Sequence, residues 1–126
     1  MICLVSHDVG GAELLSRWSR NSKKKFLYCI KGPAIKIFKR NIKNFKNTSI
    51  QNIKRKTTKI ITSTSKESDH EIKYLKYGIE KKIKTISLLD HWVNYKSRFI
   101  RDKKMILPNE LWVTDEFAYN IAKKKF

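Results

Sequence analysis

The chain has 126 residues, the length of one domain, with 29 Lys and Arg against 11 Asp and Glu and a formal net charge of +18. Its ordinary apolar fraction and scarcity of Gly and Pro argue against a disordered or fibrous chain. No stretch approaches the roughly 20 apolar residues of a membrane span, and Met1–Ser6 lacks the basic region that opens a signal peptide.

Short apolar runs alternate with segments of helical period, the pattern of repeated βαβ units. Ile2–Ser6 reads as a fully buried first strand, His7–Gly11 as a turn, and Ala12–Arg20 as a helix with Leu14, Leu15 and Trp18 at helical spacing. Lys25–Ile30 is a second strand. Pro33 then suits the first turn of a helix carrying Ile35, Ile37, Phe38 and Ile42. Within the basic stretch 44–56 a short strand is expected around Ile50–Ile53. Lys59–Thr62 is the next strand, Ser63–Ser65 a hydroxyl-rich turn suited to capping, and Glu67–Lys81 a helix with Ile72, Leu75 and Ile79 inward. His70 reads as a solvated helix histidine. Lys84–Leu89 is a strand, Asp90–Phe99 a loop of aromatic and polar groups, and Leu111–Thr114 a last strand. Asp115 and Glu116 open a helix that is still running at Phe126, so the sequence reads as the first half of a doubly wound protein. Cys3 and Cys29 fall within strands and read as buried, reduced thiols.

The fold class expected is therefore α/β: one Rossmann-like parallel sheet over 1–126 with helices on both faces. In such sheets the functional crevice lies outside the carboxyl ends of the strands. Four loops open there. In Ser6–Glu13, Gly10 and Gly11 expose amides at a helix start, where anions bind, or make a tight turn with Asp8 as a local cap. The turn lacks both G-x-G-x-x-G and G-K-[ST], so it is neither a dinucleotide fingerprint nor a P-loop. In the second loop Ser63 and Thr64 are ligand-binding or capping hydroxyls. The third crowds Asp90, His91, Trp92, Asn94 and Tyr95 at a strand end, either as a site or as a structural loop with Asp90 or Asn94 holding backbone amides. In the fourth, Asp115 and Glu116 are helix-start carboxylates or ligand contacts. Three scattered histidines with no ligand spacing give no metal site, and no G-x-S-x-G elbow is present.

The charge invites a nucleic-acid reading, since no acidic residue falls between Leu14 and Lys66. Lys outnumbers Arg 23 to 6, which weakens it, because bidentate base and phosphate recognition prefers Arg. An anionic membrane face or a phosphorylated ligand is an equal alternative.

Three pieces of the chain together resemble the amino-terminal half of glycosyltransferase-like proteins of bacterial surface-polysaccharide biosynthesis, with GT-B architecture. They are the strand leading into His7–Glu13, the strand leading into Thr62–Ser65, and Leu89–Tyr95 followed by Leu107–Glu116. The resemblance implies transfer of a sugar from a nucleotide-sugar co-substrate to a glycan or lipid-linked acceptor, with no bound metal or cofactor. It implies that this half shapes the acceptor side and that a second domain or subunit holds most of the donor. His7, Asp8 and His91, with Asp90 beside them, become candidates for catalysis, and Gly10–Glu13 a stabiliser of the leaving diphosphate. Gly10, Gly11, Ser63, Thr64, Trp92, Asn94, Tyr95, Asp115 and Glu116 become candidates for substrate contact. A cytoplasmic location is expected, with the inner membrane face as a peripheral partner. The competing readings are a non-catalytic basic module for nucleic acid or anionic membrane, and half of a two-domain sugar-nucleotide epimerase.

Overall fold

The computed structural model describes residues 1–52, 56–90 and 95–126, with only the backbone at 116 and 117. In chain order the elements are β1 (Ile2–Ser6), α1 (Val9–Arg20), β2 (Phe26–Ile30), α2 (Ala34–Asn41), β3 (Lys59–Thr62), α3 (His70–Glu80), β4 (Lys84–Leu89), β5 (Ile100–Arg101), β6 (Lys104–Met105), β7 (Glu110–Val113) and α4 (Glu116–Lys125). Five strands form one parallel sheet in the order β2-β1-β3-β4-β7, with β5 and β6 as a separate hairpin. This is the α/β Rossmann-like sheet expected from the sequence.

Successive side chains of a strand point to opposite faces, and here both faces are covered, so β1 can be apolar throughout. Ile2 and Leu4 pack with Ala12 and Leu15 of α1 and Ile37 and Phe38 of α2. Cys3 and Val5 face the other way, with Cys29, Ile60 and Tyr74 of α3. On that same side Ile72 and Leu75 of α3 meet Leu89 and the α4 residues Ala118 and Ala122. Both cysteines are fully buried and free, as expected, with their sulfurs 3.4 Å apart.

The expected strand at Ile50–Ile53 is not formed. Ile50–Asn52 is a single 3-10 turn closed by Asn52 N–H to the Ser49 carbonyl at 2.9 Å, and residue 53 lies outside the described residues. Ile50 packs against the buried cluster of Cys3, Val5, Cys29, Ile60 and Tyr74. The pairing beyond β2 instead comes earlier, as a parallel bridge between Tyr28 and Asn47. There Thr48 N–H donates to the Tyr28 carbonyl at 2.8 Å, while the Asn47 carboxamide both accepts from Ile30 N–H and donates to the Ile30 carbonyl, each at 2.7 Å. One side chain thus substitutes for a strand's backbone. Counting that bridge, the order becomes 3-2-1-4-5-6, that of the doubly wound dinucleotide-binding sheet.

Three boundaries also differ from the periodicity. α1 begins at Val9, ahead of the expected Ala12. α3 begins at His70 because Arg101 Nη2 holds the carbonyls of Ser65 and Ser68, at 3.0 and 2.8 Å, in a loop. The segment expected to be loop from Asp90 to Phe99 ends in a 3-10 turn at Lys96–Phe99. The hairpin β5–β6 follows, turning through Asp102 and Lys103 at φ of 51° and 64°. Consecutive positive φ values make a primed turn, which usually announces itself by Asn-Gly.

Replacing Asn47 by Ala removes both carboxamide bonds. We expect a loss of about 1–2 kcal/mol of stability, read from the urea midpoint at unchanged slope.

Candidate functional site

The carboxyl ends of β1 and β3 are neighbours, while the chain leaves β1 toward one face and β3 toward the other. That divergence opens the crevice at a switch point. β1 delivers Ser6, His7 and Asp8 there. The His7 carbonyl accepts from Ala34 N–H at 3.0 Å, tying the start of α2 to this turn. His7 Nδ1 lies 2.7 Å from Asp8 Oδ1, the two side chains 26% and 44% exposed. Asp8 occupies the N-cap position of α1 but makes no side-chain cap bond, so its carboxylate serves the imidazole instead of the expected local cap. The ring lies on Gly32, whose φ is +62° and where a Cβ would stand 2.6 Å from His7 Nε2. Glycine is required at 32 on both counts. Gly10 is in the first turn of α1. Gly11 brings that turn onto the β3 loop: a Cβ there would lie 2.3 Å from Ser63 Cβ.

Below this contact runs a buried chain of hydrogen bonds. Ser6 Oγ and Ser63 Oγ are 2.7 Å apart, and the hydroxyls of Ser63 and Ser65 each donate to Glu71 Oε2 at 2.9 Å. Ser63 and Ser65 therefore serve a carboxyl group rather than capping amides of α3. Glu71 is 2% exposed and its Oε1 has no partner. Burial pushes its carboxyl above the usual range, the two hydroxyls pull it back, and the negative charge of Asp8 adds to the rise. His70 is half-buried, not solvated as the sequence suggested: its Nε2 donates to the Cys29 carbonyl at 2.8 Å. Burial lowers its basicity, helped by Lys31, His7 and Lys73, while the Cys29 carbonyl acts the other way.

A second polar group lies one strand further. Arg98 Nη1 donates to the Thr64 carbonyl at 3.2 Å and Thr64 Oγ1 at 3.1 Å, and is 3.5 Å from Asp90 Oδ1. The Arg98 and Asp90 side chains are only 7% and 2% exposed. Thr64 in turn donates to the Leu88 carbonyl at 3.2 Å. Tyr95 is buried with its hydroxyl unpartnered, and burial, followed by Asp115, raises its pKa. Asp115 caps α4, accepting from Ala118 N–H at 2.7 Å. His91, Trp92 and Asn94 lie outside the described residues, as does the side chain of Glu116.

The structure thus joins His7, Asp8, Gly11 and Ser63 in one place, puts Thr64, Asp90 and Tyr95 beside it, and leaves Asp115 engaged at a helix start. Sequence reasoning passed over Glu71 and Arg98 and read His70 as solvated. Glu71 left a signal, since Glu71, Leu75 and Gly78 fall at i, i+4 and i+7 and all three are buried. Among the described residues no three His, Cys, Asp or Glu converge as metal ligands, and no helix is long and apolar enough to cross a membrane. No family model, no curated protein and no solved structure matches the chain.

A carboxyl whose pKa is raised by folding gives stability that is full below its ordinary value of 4.5 and is lost as pH rises through the folded value. Glu71→Gln keeps the neutral shape. Its stability relative to wild type should rise as pH increases from about 4.5 to 7, measured by chemical denaturation at several pH values. A constant difference across that window would assign Glu71 no proton in the folded state.

Proposed function

We propose that the chain is the acceptor-side half of a GT-B-like glycosyltransferase, moving a sugar from a nucleotide-sugar to a glycan or lipid-linked hydroxyl. The observation that carries the reading is the His7–Asp8 pair at 2.7 Å, at the carboxyl end of β1 and beside the start of α1, where no side-chain cap is made. Sugar transfer to a hydroxyl needs a general base near the attacking oxygen. Asp8 accepts the Nδ1 proton, which fixes the tautomer and leaves His7 Nε2 to take the proton of the acceptor. Asp8 also stabilises the imidazolium that forms, as the carboxylate does in other His–Asp pairs. The first-turn amides of α1, including those of Gly10 and Gly11, are in position to meet negative charge on the departing diphosphate.

The remaining residues support these two. Ser63 and Glu71 hold the floor against which α1 is seated, and Arg98 fixes Thr64 and Asp90 at the adjoining strand ends. Donor binding in this reading falls to a second α/β half, in the same polypeptide or in a partner subunit. The crevice is completed between the two, and water exclusion during transfer depends on both.

The test is transfer of labelled sugar from a panel of nucleotide-sugars to lipid acceptors extracted from membranes, by the chain together with the donor-binding half that this reading calls for. His7→Ala is expected to lower turnover about 10²–10⁴-fold with the circular dichroism unchanged. Asp8→Asn should lose rate, because the imidazole loses the partner that fixes its tautomer. A His7→Ala protein that turns over at the wild-type rate would sink the proposed base.

A further inference from the structure

The edge of the sheet opposite the crevice holds a second concavity, of about 530 Å³, lined by Met1, Ile2, Lys24, Lys25, Lys56, Thr58 and Lys59. That volume lies within the roughly 300–1,000 Å³ of small-ligand sites. Its walls are fixed by main-chain bonds. Ile2 N–H donates to the Lys25 carbonyl at 3.2 Å, Thr58 N–H to the Met1 carbonyl at 2.9 Å, and the Met1 amino group to the Lys56 carbonyl at 3.0 Å. The opening of β1 is therefore laced between the approach to β2 and the approach to β3. Lys24 and Lys25 stand on one side of it, and Lys56 and Lys59 on the other.

Four lysines line this hollow beside the Met1 amino group, without an acidic residue among them. Among the described residues none of the four has an ion-pair partner. Of the four, Lys59 acts on the Glu110 carboxylate, which is itself bonded to Lys84 at 2.7 Å. Helix carboxyl ends also gather at this edge and favour cations, but a helix terminus carries only about half a unit of negative charge. Four lysines around one hollow exceed that need, and the positive potential they set up there favours an anion. Lysine is a mobile point charge rather than a planar fork, so the ligand is read by charge density, as phosphoryl groups are.

We propose that this concavity binds an oligophosphate, a ligand with two or more linked phosphoryl groups. The site is separate from the crevice at the other end of the strands, and stands whether or not sugar transfer is the activity there. The ligand is either free in solution or the diphosphate head of a lipid.

Isothermal titration with inorganic pyrophosphate at physiological salt tests it, with sulfate at matched ionic strength as comparison. Saturable binding of pyrophosphate, tighter than sulfate, is expected. The pair Lys25→Gln and Lys59→Gln should weaken it by about 10-fold or more, as loss of charge-assisted hydrogen bonds does. The same charge removed at Lys36 and Lys39 on the outer side of α2 should leave it unchanged. Lys24→Gln with Lys56→Gln provides an independent pair, and circular dichroism checks that each variant is folded. Phosphatidylcholine vesicles with and without a lipid diphosphate distinguish the sources: capture by the doped vesicles, reversed by pyrophosphate, assigns a lipid head. Equal weakening by the α2 variants, equal affinity for sulfate, or binding of duplex DNA with no pyrophosphate heat would each overturn the proposal.

Discussion

The seating of α1 on the β3 turn is the constraint from which the crevice follows. At Gly11 there is no room for a single methyl group, because Ser63 Cβ already occupies the space at 2.3 Å. Ser63 is held in turn by Ser6 on one side and Glu71 on the other. These contacts join β1, the β3 turn and α3 through groups that are all buried, where hydrogen bonds are strong and an unmade one is costly. Once α1 is fixed at that distance, its first turn faces the switch point, and Asp8 is left free to turn its carboxylate to His7. Glu71 is thus part of the scaffold of the crevice in the same sense as the strands.

A buried carboxyl beneath a helix start has a consequence for the chemistry above it. An ionised Glu71 would put a second negative charge near Asp8, opposing any phosphoryl group brought to the α1 amides. A protonated one keeps the floor neutral and still accepts both serine hydroxyls on Oε2. Burial and Asp8 both favour the protonated form. Burial likewise favours the neutral form of His70, helped by Lys31, His7 and Lys73.

The parallel sheet was legible because its strands are covered on both faces, which forces runs such as Ile2–Val5 and Ile60–Ile61 to be apolar without interruption. The glycines and hydroxyls of the crevice were legible for a related reason, since each sits directly after such a run. What escaped depended on partners distant in sequence or on conformations that leave no residue signature. The start of α3 is set by Arg101, some thirty residues further on, which takes the carbonyls of Ser65 and Ser68. The β5–β6 turn uses Asp102 and Lys103 where glycine or asparagine would have marked it. The third strand position is filled by one carboxamide, Asn47, so the hydrophobic pattern of a strand was never needed there. Arg98 is buried only because Thr64 and Asp90 receive it, which no local pattern reveals.

The large positive charge takes on a different meaning once it is placed on the fold. A net charge of +18 from a lysine-rich chain looks featureless along the sequence. On the sheet it is divided between two ends. Asp8, Glu71, Asp90 and Asp115 all fall at the carboxyl edge, where they meet His7, two serine hydroxyls, Arg98 and a helix amide in turn. The opposite edge carries Lys24, Lys25, Lys56 and Lys59 around one hollow. An anion approaching from solution meets four lysines at that hollow. In the proposed reading the crevice recognises its ligands by hydrogen-bond geometry instead, at a helix start and at a histidine paired with a carboxylate. The two proposals together assign long-range attraction and short-range selection to opposite ends of the same five strands.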